Sequence, residues 1–263
     1  MLRPFIKMHG LGNDFVVFDA RVDRLALTPA QVVAIADRHT GIGCDQLIVI
    51  EPSAVATALM RIWNGDGGEV EACGNAARCV ATLLGATATI ATAGGLLDAT
   101  ATAGSASVTY PPPVFDWDAI PLAYPVDTRD VPVAWDSLEH GQAVNVGNPH
   151  IVFFVADANA VPLAELGPLI EHDALFPERV NVGVAHIVDR SHIVLWVWER
   201  GAGLTLACGT GAVACAVAAM RRGLVDPRVT VTLPGGDLEV EWHGAEVTLA
   251  GPAVTSFTGT IDL

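Results

Sequence analysis

The sequence contains a single lysine, Lys7, and few basic residues of any kind. Lysine and arginine together number 14 against 29 aspartates and glutamates, which gives a formal net charge of -15 at pH 7. Such a surface repels both an extended phosphate backbone and an anionic lipid surface, so nucleic acid and membranes are poor candidate partners. A small anionic substrate in a pocket with a few buried donors remains compatible with this charge. The shortage of lysine argues against pyridoxal phosphate, because its Schiff base would have to form at Lys7.

Long apolar runs are also missing, although hydrophobic residues make up 51% of the chain. No run reaches the roughly 18 to 20 residues that a membrane-spanning helix requires. The longest candidate, residues 212–220, predicts a short helix that is buried on all sides. The N-terminal residues lack the apolar core and cleavage site of a signal peptide, so we expect a cytoplasmic protein.

The cysteines do not form a pattern typical of disulfides or metal sites. Their number, five, is odd, and the chain is not short, which favours reduced thiols. The spacings from Cys73 to Cys79 and from Cys208 to Cys215 differ from those of zinc sites, so we expect no metal. We interpret Cys44, Cys79 and Cys215 as buried core residues.

Short β-branched runs alternate with a few helical stretches, which predicts a mixed α/β fold. Helices are predicted at residues 30–37, after an N-cap at Thr28, and at residues 74–85, 163–170 and 209–223. Two of them end at Gly85 and Gly223, glycines that are able to adopt a left-handed C-cap. Strands are predicted at residues 15–18, 46–50, 58–63, 143–146, 150–155, 192–198, 229–233 and 246–249.

Residues 86–109 are biased toward alanine, threonine and glycine, which predicts poorly specified hairpins. The three prolines at 111–113 are the best candidate linker, because consecutive prolines end both helices and strand pairing.

Two glycine-rich turns, one in each half of the chain, repeat the order Ala-Cys-Gly at Cys73 and Cys208. Each turn begins a predicted helix, where unpaired N–H groups and a partial positive charge stabilise a thiolate. We therefore expect the pKa of each thiol to be lowered toward neutrality. The same N–H groups bind carboxylates. The residues expected to hold one substrate carboxylate from both sides are Gly74, Asn75, Gly209 and Thr210.

A matched pair of thiols is what stereochemical inversion at one carbon requires. One thiolate removes the α-proton, and the opposite thiol delivers a proton to the other face of the carbon. The resting protein should then hold one thiolate and one thiol as a coupled pair. The reaction needs no cofactor.

A competing interpretation is a dinucleotide site, because residues 209–214 match the pattern G-x-G-x-x-A. The context does not fit. Residues 201–207 separate this turn from the strand before it, and no acidic residue closes the next strand at the expected place.

Seven ordered motifs extend the pattern around the two cysteines. They are residues 7–15, 41–46, 61–67, 69–75, 147–150, 179–181 and 199–211. Together they resemble the diaminopimelate epimerase family, from residue 7 to the C-terminal strand. The sequence departs from the usual family pattern at Cys44, Gly65 and Ala76, and residues 86–115 match it weakly. Ala76 matters most, because its methyl group lies in the first turn of a predicted helix.

The resemblance implies two pseudo-symmetric domains, each a curled mixed β-sheet around a central helix. Residues 1–112 form the first with the C-terminal strand 253–263, and residues 113–252 form the second. The implied activity is cofactor-independent conversion of LL-diaminopimelate to the meso form, in lysine and peptidoglycan precursor synthesis. A homodimer is also implied, with Phe257 near its interface.

By motif match, Cys73 and Cys208 are the acid/base pair, and His150 and Glu199 adjust their pKa values. A distal zwitterionic end of the substrate needs a planar cation and amide groups, which Arg200 and the asparagines supply. The implied substrate-binding residues are Asn13, Gln46, Asn64, Gly74, Asn75, Asn148, Asn181, Glu199, Arg200, Gly209 and Thr210.

Simpler roles remain open for several of these residues. Asparagines beside glycines are common turn formers. Arg200 also fits a surface salt bridge, and His150 fits a strand-edge residue. Two other functions stay open: another cofactor-independent racemase or epimerase, of proline, hydroxyproline or histidine type, and a non-catalytic ligand-binding relative. Retention of Asn64, Arg200 and both thiols favours the diaminopimelate enzyme.

Overall fold

A computed structural model describes residues 2–70 and 73–263. The chain divides into two compact units, the first made of Met1–Thr109 with Ala250–Leu263 and the second of Tyr110–Leu249. The first unit contains strands Leu2–Gly10 (β1), Asn13–Asp19 (β2), Gln46–Glu51 (β3), Ala58–Asn64 (β4), Glu69–Val70 (β5), Thr87–Thr92 (β6), Gly95–Thr102 (β7), Ser105–Tyr110 (β8) and Val254–Asp262 (β18), and helices Pro29–Ala36 (α1) and Gly74–Leu84 (α2).

The second unit is built from strands and helices of similar length. It contains strands Val131–Trp135 (β9), Leu138–Asn145 (β10), Pro149–Phe154 (β11), Asn181–Asp189 (β12), His192–Glu199 (β13), Gly203–Leu204 (β14), Arg228–Leu233 (β15), Gly236–Trp242 (β16) and Val247–Pro252 (β17), and helices Leu163–Glu171 (α3) and Gly209–Arg221 (α4). A short 3-10 turn covers Ala158–Ala160.

The two units repeat one order of strand pairing. In the first, β1 and β2 are antiparallel, β2 and β3 parallel, β3 and β4 antiparallel, β4 and β6 parallel, and β6 and β7 antiparallel. In the second, the same sequence of directions runs through β10, β11, β12, β13, β15 and β16. Helices α1 and α3 follow the second strand of each repeat, and α2 and α4 follow the short strands β5 and β14. The predicted mixed α/β fold is confirmed.

One helix is largely buried in each unit because its residues are small and apolar. In α2, the residues from Gly74 to Ala81 are all buried, and this helix packs against β1, β4, β6 and β7. In α4, the residues from Gly211 to Ala219 are buried, and it contacts six strands of the second unit. The predicted helix that is apolar on all sides is therefore confirmed. No helix in residues 2–70 and 73–263 is long and apolar enough to span a membrane.

The four predicted helices are present, and the N-cap at Thr28 is confirmed: its Oγ1 accepts from Gln31 N at 3.3 Å, and Gln31 Oε1 accepts from Thr28 N at 3.0 Å. Both glycines after the helices have positive φ, 120° at Gly85 and 71° at Gly223, although ψ -173° at Gly85 is not that of the left-handed helix. The predicted hairpins in residues 86–109 are confirmed. The expectation that they are poorly specified was wrong, because β6, β7 and β8 pair in continuous antiparallel register.

Candidate active site

Cys73 occupies the N-cap of α2 with an extended backbone, at φ -149° and ψ 114°. Its half-buried Sγ lies 3.8 Å from Asn13 Oδ1, at the first residue of β2. The same oxygen accepts a hydrogen bond from Asn75 Nδ2 at 3.1 Å. The structure thus brings together three residues predicted from separate motifs of the first half of the chain. Gly74, the first residue of α2, is buried beside them.

Gln46 and Asn64 lie opposite each other where β3 begins and β4 ends. Gln46 Nε2 donates to Asn64 Oδ1 at 2.9 Å, and both side chains are partly buried. This bond fixes the orientation of the Asn64 amide, because its acceptor oxygen is turned toward Gln46 and its NH₂ group away.

Cys208 occupies the equivalent N-cap of α4, at φ -125° and ψ 111°. Its Sγ accepts from Gly211 N at 3.3 Å and lies 3.6 Å from Thr210 Oγ1. Cys208 and Gly209 are both buried. Two donors at the start of a helix therefore face this sulfur.

The pKa of Cys208 differs from the sequence-based expectation. Burial raises it well above its usual value, and the negative charge of Glu199 raises it further, whereas the contacts with Thr210 and Gly211 lower it. The expectation of a lowered pKa was wrong for this residue, because the helix start contributes less than the loss of solvent. A raised pKa favours the thiol form of Cys208 at neutral pH.

His150, Asn148 and Thr210 connect to Cys208 through hydrogen bonds. His150 Nε2 lies 2.9 Å from Asn148 Oδ1, and Asn148 Nδ2 donates to Thr210 Oγ1 at 3.3 Å. Because Thr210 Oγ1 accepts from Asn148, its own proton is available to Cys208 Sγ. Burial and the nearby charge of Arg200 lower the pKa of His150 to about 3, so the ring is neutral and donates through Nε2.

Glu199 is the last residue of β13, and Arg200 begins the turn after it. Asn181, at the start of β12, accepts from Arg200 N at 2.9 Å through Oδ1 and donates to Pro149 O at 2.8 Å through Nδ2. Arg200 Nη1 donates to Glu178 O at 3.0 Å. Thr205 Oγ1 donates to Glu199 Oε1 at 2.5 Å. Backbone and side-chain bonds therefore hold this turn.

Replacing Glu199 with glutamine is expected to lower the pKa of Cys208, because the negative charge that disfavours the thiolate is removed while burial is kept. The measurement is the ultraviolet absorbance of thiolate as a function of pH. A second protein carrying Cys208→Ser together with Glu199→Gln isolates the Cys208 signal by difference. An unchanged titration midpoint would show that burial alone raises this pKa.

The remaining cysteines belong to the core. Cys44, Cys79 and Cys215 are buried, and burial raises the pKa of Cys44 to about 11 and that of Cys79 to about 12. The same cause raises the pKa of Cys215. Within the part of the chain that the structure describes, no cluster of histidine, cysteine and carboxylate side chains is arranged to hold a metal ion.

The predicted site residues fall at matching places in the two repeats. Asn13 begins β2, and Asn148 directly precedes β11; Gln46 begins β3, as Asn181 begins β12. The pairs at matching places are Asn13 with Asn148, Gln46 with Asn181, Asn64 with Glu199, and Cys73 with Cys208. Each unit therefore carries amide or carboxylate groups at the same strand ends and one cysteine at the start of its buried helix. Asn13 contacts Cys73, and Glu199 raises the pKa of Cys208.

Comparison with known proteins identifies the family that shares this arrangement. The family model described as diaminopimelate epimerase matches residues 5–111 and 142–259. This chain belongs to the diaminopimelate epimerase family. The diaminopimelate epimerase of Sphingopyxis alaskensis is 64% identical over 263 residues, with 100% of this chain and 98% of that protein covered. The family resemblance of the sequence motifs is confirmed.

Solved structures of proteins with low sequence identity to this chain share its fold. A phenazine biosynthesis protein of the PhzF family from Enterococcus faecalis has a TM-score of 0.74 at 16% identity, with all of both chains covered. A probable proline racemase from Agrobacterium radiobacter K84 has a TM-score of 0.72 at 17% identity, covering 99% of this chain and 93% of that one. At these identities the likeness concerns the fold alone.

Sequence reasoning missed two charged residues that form hydrogen bonds with the asparagines beside Cys73. Asp45 Oδ2 accepts from Asn13 Nδ2 at 3.0 Å, and Arg78 Nη2 donates to Asn75 Oδ1 at 2.8 Å. Asp45 lies inside one of the quoted motifs, beside Gln46. Arg78 is fully buried in an otherwise apolar stretch of α2, and a charge in such a stretch is the signal that points to a buried partner.

Proposed function

We propose that this chain interconverts LL- and meso-diaminopimelate as an isomerase without a cofactor, and so serves lysine and peptidoglycan precursor synthesis. The observation that carries the proposal is the repeated cysteine at the N-terminus of a buried helix, Cys73 in the first unit and Cys208 in the second. Membership of the diaminopimelate epimerase family supports the choice of substrate.

In the proposed reaction, Cys73 and Cys208 address opposite faces of the α-carbon. One thiolate takes the α-proton, the electron pair stays on the carbon as a planar carbanion, and the other thiol gives its proton to the opposite face. The first sulfur then carries the proton and the second is the thiolate, so the reverse reaction begins from exchanged roles. Atoms and charge balance without an added reagent.

Glu199 gives a reason for Cys208 to ionise only with substrate. In the free protein burial raises the pKa of Cys208, and the carboxylate of Glu199 raises it further. We propose that a substrate ammonium group pairs with Glu199, which removes this effect and leaves the contacts from Thr210 and Gly211 to stabilise the thiolate. Neutral His150 maintains the Thr210 contact through Asn148.

The proposed substrate contacts follow from the chemistry of the two ends of the molecule. The N–H groups at the starts of α2 and α4 suit the carboxylate at the reacting carbon. The guanidinium of Arg200 and the amide groups suit the distal zwitterion. The proposed carboxylate-binding residues are Gly74, Asn75, Gly209 and Thr210, and the other proposed contacts are Asn13, Gln46, Asn64, Asn148, Asn181, Glu199 and Arg200.

Incubation with LL-diaminopimelate in D₂O tests the function. We expect α-deuterium in the product and formation of the meso isomer with no added cofactor, because the proton delivered to the carbon comes from a thiol that exchanges with solvent. The measurement is mass spectrometry after chiral separation. Exchange on proline, hydroxyproline or histidine in place of diaminopimelate would support the alternative racemases, and no exchange on any of them would support a binding protein.

We also propose a cytoplasmic homodimer. Phe257 on β18 is half exposed, and its ring packs edge-on against Phe5 with centroids 6.1 Å apart. An exposed aromatic on a strand supports the use of this surface between subunits.

A further inference from the structure

A line of hydrogen bonds crosses the first unit beside Cys73. Asn75 Nδ2 donates to Asn13 Oδ1 at 3.1 Å, and Asn13 Nδ2 donates to Asp45 Oδ2 at 3.0 Å. An arginine lies at each end, with Arg78 Nη2 donating to Asn75 at 2.8 Å and Arg38 Nη2 donating to Asp45 Oδ1 at 2.6 Å. We call this set the asparagine network; its members are Arg38, Asp45, Asn13, Asn75 and Arg78.

Arg78 and Asp45, at the two ends of the asparagine network, determine the orientation of the Asn13 and Asn75 amides. A guanidinium has only donors, so Asn75 must face Arg78 with its oxygen and Asn13 with its NH₂ group. A carboxylate has only acceptors, so Asn13 must face Asp45 with its NH₂ group. Each end therefore favours the orientation in which Asn13 Oδ1 points toward Asn75.

This orientation places an acceptor near Cys73. Its Sγ lies 3.8 Å from Asn13 Oδ1, an acceptor that already receives a bond from Asn75. An acceptor beside the sulfur favours the S–H form and opposes the thiolate. If the Asn13 amide turned over, its NH₂ group would face the sulfur and favour the thiolate.

Backbone and side-chain contacts within the first unit hold Asp45 in place. Its Oδ2 also accepts from Asp14 N at 3.1 Å, and its own N–H donates to Asp14 Oδ1 at 3.0 Å. Arg38 bridges both carboxylates, and Lys7 donates to Asp14. Among the described residues, the charged groups at the Asp45 end of the network include Lys7, Asp14 and Arg38, and Arg78 lies at the other end.

We propose that Asp45 and Arg78 are positioning residues that fix the amides of Asn13 and Asn75, so that Cys73 is held as the proton-donating thiol. The inference rests on the proposed function, since it assigns Cys73 its starting role in that reaction. Neither residue touches the reacting carbon in this scheme. Their effect reaches Cys73 through the asparagines.

Replacing Asp45 with alanine tests the inference. One of the two contacts that orient the Asn13 amide is then lost, and the amide turns over more often. We therefore expect the pKa of Cys73 to fall and its alkylation by iodoacetamide near neutral pH to rise about tenfold, the effect of one pKa unit. Turnover should fall about tenfold because less of Cys73 is in the protonated form that the proposed reaction needs. In Asp45→Asn the amide oxygen can accept from both Asn13 Nδ2 and Asp14 N, while Arg38 keeps its pair with Asp14, so this variant is expected to restore both values. Peptide mass spectrometry of the Cys73 peptide as a function of pH measures the alkylation.

Asp19→Ala is the matched control, because Asp19 is an arginine-paired carboxylate of similar exposure in the same unit, with side chains 40% and 44% exposed for Asp19 and Asp45. It should change neither measurement. If Asp45→Ala does not fold, Asp45→Glu keeps the charge but displaces the acceptor, and should shift alkylation in the same direction.

An unchanged alkylation profile in a folded Asp45→Ala or Asp45→Glu protein, or a shift equally large in Asp45→Asn, would overturn the inference. Alkylation needs no substrate, so its outcome is independent of the proposed function. Failure of that function would instead appear as absent epimerisation by the unaltered protein.

Discussion

Replacing either Cys73 or Cys208 with serine is expected to lower epimerisation by about 10²- to 10⁴-fold, the range that a positioned acid or base contributes. A hydroxyl is far less acidic than a thiol. Serine therefore ionises much less readily than cysteine and protonates a carbanion more slowly. The measurement is the rate of meso-diaminopimelate formation from the LL isomer. Deuterium exchange at the α-carbon, measured in the same samples, separates loss of inversion from loss of substrate binding.

Each of the two helices contains a second cysteine whose replacement is a control for the serine variants. Cys79 lies further along α2 and Cys215 further along α4, and both are fully buried thiols. Cys79→Ala and Cys215→Ala should each lower the free energy of unfolding by about 1 kcal/mol, because a buried sulfur is lost, and leave turnover near that of the unaltered protein. Near-normal turnover in either serine variant would exclude a reaction that uses both thiols.

The local sequence was sufficient to predict the helices that carry the two cysteines. An Ala-Cys-Gly turn followed by small apolar residues has few alternatives to a buried helix with cysteine at its N-cap, and both α2 and α4 begin at the glycine. The repeat of strand directions could not be predicted in the same way. Pairing between distant strands depends on which edges remain open as the sheet assembles, and short motifs carry no information about this.

The pKa of Cys208 shows a second limit of sequence reasoning. A helix N-terminus is visible in the sequence, so a lowered pKa was expected, but the depth at which the turn is buried is a property of the packed unit. The contact between Asp45 and Asn13 could not be predicted from the sequence for a related reason. Its partner Asn13 is distant in the chain, and the two meet only because β2 and β3 are parallel neighbours.

Gly211→Ala is expected to lower turnover by about 10- to 100-fold, because it displaces the sulfur of Cys208. A methyl group at this position would lie 2.9 Å from Val197 Cγ2 and 3.2 Å from both Cβ and Sγ of Cys208. Val197 belongs to the buried face of β13 and has little room to move, so Cys208 must shift. We expect the strain to lower the free energy of unfolding by about 1–3 kcal/mol, measured by denaturant titration.

The first unit provides the matched control, since Ala76 holds in α2 the place that Gly211 holds in α4. Ala76 is buried, and its methyl group is already accommodated at the helix start beside Cys73. Ala76→Gly should lower the free energy of unfolding by about 1 kcal/mol through helix propensity alone and leave turnover unchanged. Opposite results in the two variants, with turnover lost only at Gly211, would show that the contact with the Cys208 sulfur is responsible. Equal turnover in both variants would mean that this sulfur tolerates displacement, and the role proposed for its position would be wrong.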